Sequence, residues 1–216
     1  MIGVGYGRME RWQDAARTLR RYVERSRHAD HKIEALERLG EVQLRLGQLR
    51  AADDTFGEAA ALGRRSAGQI RRGLYYAAQA RYQQGEIVLR QYEAVRIEGD
   101  VASLRSRLER KAALLARAAE IYTDTVSFRE PATATAALYR IGYSYEQFAQ
   151  ALRNAPVPRT LSEAEAQAYR EQIETFVVPI EERALSAYEG GYRRALELHI
   201  YNRWTQDIRR ALERLN

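Results

Sequence analysis

The sequence contains no cysteine, and this absence excludes several kinds of site. A chain without thiols has no disulfide framework, no cysteine nucleophile and no cysteine-ligated zinc or iron–sulfur cluster. The sequence also lacks any run of about 18 apolar residues, the length that a helix needs to cross a bilayer. We therefore expect no membrane span in this chain.

Proline and lysine are scarce as well. The 216 residues include 4 prolines, and between them apolar residues recur at steps of three and four. This period is typical of amphipathic α-helices, and no segment alternates apolar and polar residues as a strand would. The sequence thus predicts an all-α fold. Lys32 and Lys111 are the only lysines, so arginine carries nearly all of the positive charge.

Charge of either sign is plentiful but evenly spread. Lysine and arginine number 35 against 29 acidic residues, which gives a formal net charge of +6. Opposite signs alternate along the predicted helices, for example at Glu34, Glu37, Arg38, Glu41 and Arg45. A dedicated nucleic-acid binder usually concentrates its positive charge on one element, whereas interleaved signs are typical of a solvated helix face.

Several helix boundaries follow from local signals. Pro131 fits the first turn of a helix, because its missing N–H would have no partner there. Residues 154–159 include two prolines and break the helical pattern. Ser162 and Glu165 have the spacing of a capping box, which predicts the start of another helix. Pro179 is predicted to end or kink this helix and to open the next one.

Residues 36–62 carry the pattern of a helical hairpin. Gly40 and Ala52 are small residues that would let two helices touch, and Phe56 would fill the seam between them. Gly47 lies where the first helix would end, because glycine readily adopts the left-handed conformation of a helix C-terminus. The stretch resembles a tetratricopeptide repeat. The matching residues are Leu36, Leu39, Gly40, Leu46, Gly47, Leu49, Ala52, Phe56 and Ala59.

Weaker copies of the same pattern flank this hairpin. One covers residues 2–19, and the spacing of its Ala15 from Ala52 is close to the expected period of about 34 residues. A third copy starts at Leu74 but has Arg90 where a small residue is expected. This difference predicts a second helix that is longer or packs more loosely.

A fourth copy starts at residues 138–145. Its second helix is postponed to residues 180–198, where Ala184 and Tyr188 occupy the small and aromatic positions. Residues 153–178 would then be an insertion within this copy.

The resemblance implies a right-handed α–α superhelix in which helical hairpins stack as one continuous solenoid of about ten helices. Tetratricopeptide-like repeats would cover residues 1–97, a degenerate helical region would cover 98–216, and the last helix would cap the C-terminal end. Residues 2–6 match only the middle of a first helix. We therefore expect a truncated first repeat, preceded by further repeats in a longer protein, whose apolar edge would allow the fragment to self-associate.

The last third of the chain carries four short motifs. They are Ala-Leu-Tyr-Arg-Ile-Gly-Tyr, Ala-Pro-Val-Pro, Pro-Ile-Glu-Glu-Arg-Ala and Ile-Tyr-Asn-Arg-Trp-Thr. This region is similar to the C-terminal part of repeat proteins in the cell envelope of gliding and related Gram-negative bacteria. Such proteins are linked to gliding motility or to energised complexes of the TonB/Tol type. The resemblance implies a periplasmic or envelope location, with the cytoplasm as the alternative.

Signals of catalysis are few. His28 and His31 could bind a metal only with a third ligand such as Asp30 or Glu24, and a polar loop between repeats explains these residues better. The glycines of residues 3–7 lack the Lys-Ser/Thr pair of a phosphate-binding loop. The sequence therefore predicts a protein that is not an enzyme, with no metal, no cofactor and no small-molecule substrate.

The resemblance implies a binding groove formed by fixed positions on the first helix of each repeat. On this chain the positions are Glu37, Glu41, Arg45, Tyr75, Gln79, Tyr82, Tyr139, Tyr143 and Glu146. Tyrosine and arginine often dominate binding energy, although Tyr75 and Tyr82 suit core packing equally well. Glu37 and Glu41 would repel an acidic peptide C-terminus, so a protein or peptide that is basic, or aromatic and neutral, is the expected partner.

RNA binding is the alternative function. Its support is two arginine clusters, and helical repeats can bind RNA through arginines that pair with phosphate and stack on bases. The clusters are Arg17, Arg20, Arg21, Arg25 and Arg27, then Arg64, Arg65, Arg71 and Arg72. The small net charge weighs against this alternative.

Overall fold

The computed structural model describes residues 11–97, 101–158 and 161–215. Within these ranges the chain is helical and contains no strand, which confirms the all-α prediction. The front of the expected first repeat, residues 1–10, lies outside the described residues. The helices are α1 (Trp12–Arg25), α2 (Ala29–Arg45), α3 (Leu49–Arg65), α4 (Arg72–Ala94), α5 (Val101–Ser127), α6 (Pro131–Arg153), α7 (Glu163–Glu197) and α8 (Arg203–Leu215).

The local signals place several helix ends correctly. Helix α6 begins at Pro131, and Gly47 has a positive φ of 72° in the turn between α2 and α3. A capping box opens α7: the Ser162 hydroxyl accepts a hydrogen bond from the Glu165 N–H, and the Glu165 carboxylate accepts one from the Ser162 N–H. The two bonds satisfy donors that a helix N-terminus leaves without partners.

Two compact units share the chain. Unit 1 consists of Met1–Ile87 with Asp124–Ala134, and unit 2 consists of Val88–Thr123 with Thr135–Asn216. Helix α1 packs on α2 and α2 packs on α3 in unit 1, while α7 packs on α8 in unit 2. Sequential neighbours therefore pack together, as helical hairpins do.

The core of unit 1 is built from small residues facing large ones. Phe56 of α3 is fully buried, and a Cβ added to Gly40 of α2 would lie 2.4 Å from its ring. Two turns further along α3, a Cβ added to Gly63 would clash with the Cβ of Ala77 of α4. These contacts explain why glycine is required at two helix positions where it otherwise lowers helix stability by about 1 kcal/mol.

Unit 2 repeats this arrangement in its own core. Tyr188 of α7 is fully buried, and a Cβ on Gly142 of α6 would lie 2.6 Å from its ring. Ala184, one turn before Tyr188, is also fully buried. The pairing of a small residue on one helix with an aromatic ring on another thus occurs in both units, and the fourth copy has its small and aromatic residues where the sequence predicted them.

Two predicted boundaries are wrong. Helix α4 runs from Arg72 to Ala94 without a turn, so Arg90 lies on the same helix as Leu74 rather than at the start of a second one. Helix α7 likewise continues through Pro179, so the expectation that one helix ends there and another opens is wrong. The fully buried Val177 and the partly buried Ile180 anchor the helix on both sides of this proline, and their packing outweighs the loss of one backbone hydrogen bond.

Candidate functional site

The nine residues that the sequence assigns to a groove fall on three helices. Glu37, Glu41 and Arg45 are spaced by four along α2, so they share one side of that helix. The remaining six follow similar spacing, as Tyr75, Gln79 and Tyr82 on α4 and as Tyr139, Tyr143 and Glu146 on α6. The α2 and α4 residues belong to unit 1, and the α6 residues belong to unit 2.

Burial divides these residues into two kinds. Glu37, Tyr82 and Glu146 retain 6%, 7% and 4% of their accessible surface. Tyr75 is 46% exposed, and Glu41 is exposed as well. A partner can contact the exposed side chains directly, whereas the three buried side chains have most of their surface covered by the protein itself.

Glu37 is a buried carboxyl group beside a second acid. Burial first, and then the negative charge of Glu41 one turn away, raise the pKa of Glu37 to about 8, although the positive charge of Arg38 acts in the opposite direction. The Arg38 guanidinium itself donates to Glu34 at 3.3 Å and lies 5.6 Å from the centre of the Tyr76 ring. Glu37 is therefore largely protonated at neutral pH.

Tyr75 lies in the field of the same carboxylates. Its pKa is raised by burial first, and then by the negative charges of Glu130, Glu37 and Glu41. Its ring packs edge-on against Tyr76, with 5.2 Å between the ring centres. We call the surface formed by Glu37, Glu41, Tyr75 and Glu130 the acidic tyrosine face.

The edge of this face is fixed by hydrogen bonds between α4 and the start of α6. The Gln79 side-chain amide donates to the Thr133 hydroxyl at 2.8 Å, and the Glu130 carboxylate accepts from the Thr133 N–H at 2.7 Å. Glu130 thus caps α6 from the position before Pro131. Glu130 and Thr133 were not among the predicted site residues, although an acid directly before a proline-initiated helix is a recognisable capping signal.

Two other predicted residues of unit 1 have different surroundings. The Arg45 guanidinium lies 5.9 Å from the centre of the Trp12 ring, a cation–π contact between α2 and α1. Tyr82 points into the protein and has almost no exposed surface. Neither residue belongs to the acidic tyrosine face.

Helix α8 packs against Tyr139 and Glu146, two of the three predicted groove residues of unit 2. The Tyr139 and Trp204 rings lie 5.4 Å apart. The Glu146 carboxylate accepts a hydrogen bond from the Tyr188 hydroxyl at 2.9 Å and two from Arg214 Nη2, at 2.8 and 2.9 Å. These contacts make the part of α6 with Tyr139 and Glu146 a packing surface for the last helix. Tyr143 is half-buried and its hydroxyl donates instead to Glu93 at 3.4 Å.

A polar cavity of about 340 Å³ lies elsewhere in unit 2. Lys111 is buried at its wall and donates to the carbonyls of Tyr92 and Val95 at 2.9 and 3.0 Å. Burial lowers the pKa of Lys111, but the two carbonyls at the C-terminal end of α4 give its ammonium a capping role. The cavity is lined by Tyr92, Glu93, Lys111, Tyr143, Gln147, Gln150, Ala151 and Asn154.

An apolar groove of about 390 Å³ runs along α6 and the first half of α7. Phe176 and Val178 are 61% and 48% exposed on this part of α7. Arg153 holds the two helices together through ion pairs with Glu174 at 2.9 Å and Glu181 at 2.7 Å. The groove is lined by Phe148, Leu152, Ile173, Thr175, Phe176, Pro179, Ile180 and Arg183.

The histidine pair has a structural setting. The His28 and His31 rings meet edge-on with 5.6 Å between their centres. Asp30, the nearest candidate for a third metal ligand, instead accepts a hydrogen bond from the Gly73 N–H at 2.6 Å and so caps the start of α4. Nowhere in the described ranges do three histidine or acidic side chains cluster to hold a metal ion.

The two arginine clusters differ in their surroundings. Arg20, Arg21 and Arg25 are exposed on α1, and no ion pair engages them in the described part of the chain. Arg64 of the second cluster forms an ion pair with Asp124 and lies over the Phe128 ring. The α1 cluster is therefore the more accessible of the two.

Comparison with known proteins adds no assignment. No protein-family model matches the chain, and a search of curated proteins finds no match. Within the described residues, no helix is both long and apolar enough to cross a membrane. The functional assignment accordingly depends on the acidic tyrosine face and on the other surfaces described above.

Proposed function

We propose that this chain is a non-catalytic scaffold that binds a protein or peptide partner on the acidic tyrosine face. The observation that carries the proposal is Tyr75, which is 46% exposed beside the carboxylates of Glu37, Glu41 and Glu130. A partly exposed aromatic ring can bury a large area against a partner at a small loss of side-chain entropy. Acidic groups around the ring would select the charge of that partner.

We also propose that the helical hairpins are tetratricopeptide-like and belong to a superhelix. The support is the contact of Gly40 with Phe56, and the matching contact of Gly142 with Tyr188. In such a superhelix the first helices of successive repeats line the groove, and α2 and α4 would be two of them. The acidic tyrosine face would then be the part of the groove formed in unit 1.

The cellular setting is proposed from resemblance alone. The four motifs of the last third of the chain favour a role in an envelope complex of the gliding-motility or TonB/Tol type, in the periplasm. Fractionation of the source cells would test this location, since recovery of the chain with cytoplasmic markers would contradict it.

A site-specific crosslink would test the binding role. We would replace Tyr75 with the photoreactive amino acid p-benzoyl-phenylalanine, irradiate the protein in a lysate of its source and identify the products by mass spectrometry. The matched control carries the same group at Tyr201, which is 74% exposed in unit 2. We expect one partner to crosslink at position 75 and not at position 201. The same products from both positions, or none from position 75, would refute the proposal.

RNA binding is the second candidate, and the exposed arginines of α1 favour it. Arg20, Arg21 and Arg25 project from one helix near Tyr22, which is 43% exposed. Fluorescence anisotropy with a labelled single-stranded RNA would test this function at several salt concentrations, because phosphate contacts weaken steeply as salt rises. Loss of binding after replacement of these arginines with glutamine, with the crosslink from position 75 unchanged, would assign a separate RNA surface to α1.

A further inference from the structure

We propose that the acidic tyrosine face receives one cationic side chain of the partner, an arginine or a lysine. The cation would pair with the exposed carboxylate of Glu41 next to the buried carboxyl group of Glu37, and its aliphatic stem would cover the Tyr75 ring. This inference rests on the proposed function and specifies the chemistry of its partner.

No cation forms an ion pair with Glu37 in the described residues. Buried carboxylates are normally paired with a cation or with several hydrogen-bond donors, because burial of a lone charge is costly. Glu37 retains only 6% of its accessible surface. In the described residues, however, neither Glu37 nor Glu41 forms an ion pair. The cations of α2 have other contacts. Arg38 bonds Glu34, Lys32 lies 4.0 Å from Glu58, and Arg45 lies over the Trp12 ring.

The Tyr75 ring is exposed and lies in the electrostatic field of these acids. A guanidinium or ammonium group binds well over an aromatic face, and more strongly where neighbouring acids make the site negative. Tyr75 offers such a ring, and the charges that act on it are those of Glu130, Glu37 and Glu41. The exposed Glu41 would repel an anionic side chain, and a purely apolar side chain would leave the Glu41 carboxylate without a counter-ion.

Arginine fits this site better than lysine. Its planar guanidinium can donate to two carboxylates at once while its flat face stacks on a ring, whereas a lysine ammonium is a compact and strongly hydrated charge. Glu37 and Glu41 lie one helical turn apart on α2, which is the separation of neighbouring side chains on one face. We therefore expect arginine to be preferred, with lysine second.

Binding of a cation should release a proton. The charged and titratable groups around Glu37 are Glu34, Arg38 and Glu41 on α2, Tyr75 and Tyr76 on α4, and Glu130 before α6. A cation placed beside Glu37 lowers its pKa from about 8, so the carboxyl group ionises as the complex forms. The affinity for the cation should therefore rise between about pH 6 and pH 8, because in this window binding must displace a proton from Glu37.

Peptide libraries would test the charge requirement. Short degenerate peptides would carry arginine, lysine, citrulline, norleucine or glutamate at one fixed central position. Citrulline is the decisive control because it has the size and shape of arginine without the charge. We expect the wild-type chain to retain arginine peptides about tenfold or more above citrulline peptides. Equal retention of the two, or no retention of any library, would overturn the inference.

Variants would then locate the effect. The double variant Glu37→Gln, Glu41→Gln should lose the preference for arginine, whereas Glu58→Gln, an exposed acid of α3, should keep it. Circular dichroism of each variant would verify folding. An arginine preference that survives the double variant would place the cation elsewhere and would also overturn the inference.

The crosslink from position 75 separates this inference from the proposed function. If a partner still crosslinks in the double variant while arginine and citrulline peptides bind equally to the wild type, the scaffold function stands and the cation inference is refuted. If no partner crosslinks at position 75, the proposed scaffold function is itself refuted. Calorimetry of the arginine library in phosphate and in Tris would supply an independent readout, because proton release makes the measured enthalpy depend on the buffer.

Discussion

Arg214 of the last helix donates to both carboxylate oxygens of Glu146, from Nη2 at 2.8 and 2.9 Å and from Nε at 3.2 Å. Glu146 is 4% exposed and also accepts from the Tyr188 hydroxyl at 2.9 Å. These three residues come from α8, α6 and α7, so the carboxylate joins three helices of unit 2. The pair is thus a buried carboxylate with a partly exposed cation.

Replacement of Arg214 should weaken the attachment of α8. Arg214→Met removes the cation and leaves the Glu146 charge buried, and loss of one partner of a buried pair costs about 3–5 kcal/mol. Because the Arg214 side chain is 58% exposed, we expect a smaller loss of about 1–3 kcal/mol in the free energy of unfolding, measured in urea. Arg209→Met is the control, since its pair with Glu213 is exposed on both sides. An equal effect of the two substitutions would contradict this role of Arg214.

Gly40 should not tolerate even a methyl group. The Cβ of alanine would lie 2.4 Å from Phe56 Cε1, and the ring is fully buried with little room to move. We expect Gly40→Ala to lower the free energy of unfolding by about 1–3 kcal/mol, the usual range for overpacking. Gly142→Ala, which meets Tyr188, should behave in the same way.

Gly190 offers the matched control for both substitutions. It lies within helix α7, and a Cβ there would meet nothing within 4 Å. Gly190→Ala should therefore raise the free energy of unfolding by about 0.5–1 kcal/mol, because alanine favours the helix. If Gly40→Ala also stabilised the protein, the close contact of α2 with α3 would be wrong.

The sequence predicted those features that depend on neighbouring residues or on a repeated pattern. The capping box at Ser162, the helix start at Pro131 and the turn at Gly47 need only local chemistry. The small and aromatic positions of α7 were found because they match those of α3. The separate second helix expected around Arg90 and the helix end expected at Pro179 did not form, because packing that a local pattern does not contain keeps α4 and α7 continuous.

The candidate site was predictable in part. The resemblance to tetratricopeptide repeats implied groove positions at Glu37, Glu41 and Tyr75, and these three residues belong to the acidic tyrosine face. Burial of Tyr82 and coverage of Glu146 by Arg214 depend on long-range packing, which periodicity alone does not report. Glu130 comes from a distant part of the sequence. Its capping position before Pro131 is a local signal, but its effect on Tyr75 depends on the fold.

Glu37 should make the stability of the protein depend on pH. Its pKa is about 8 in the folded chain, above the ordinary 4.5, so the folded state holds a proton that the unfolded state has lost between these values. The stabilisation is fully present below about pH 4.5 and is lost as pH rises through about 8. The free energy of unfolding should fall by at most about 1.4 kcal/mol per pH unit in this window.

The variant Glu37→Gln isolates this effect. It should match the wild type near pH 4.5 and exceed it in stability at pH 8, because glutamine is buried without a charge to lose. Acids with lowered pKa values, such as Glu165 and Glu174, act at lower pH and should leave the difference between the two proteins unchanged. Urea unfolding at several pH values would measure the difference in free energy of unfolding between the variant and the wild type. A difference that stays constant with pH would contradict the raised pKa of Glu37.

Tyr75 and Tyr82 should separate binding from stability, although both belong to α4. Tyr82 is 7% exposed, so Tyr82→Ala should remove about 3–5 kcal/mol from the free energy of unfolding and lower the thermal midpoint by many degrees. Tyr75 is 46% exposed, so Tyr75→Ala should change the midpoint little. It should nevertheless weaken retention of the arginine peptides, because the cation loses its aromatic surface. Thermal denaturation and peptide binding on the same two variants would check both expectations. If the Tyr82→Ala variant is as stable as the wild type but no longer binds the arginine peptides, Tyr82 belongs to the binding surface.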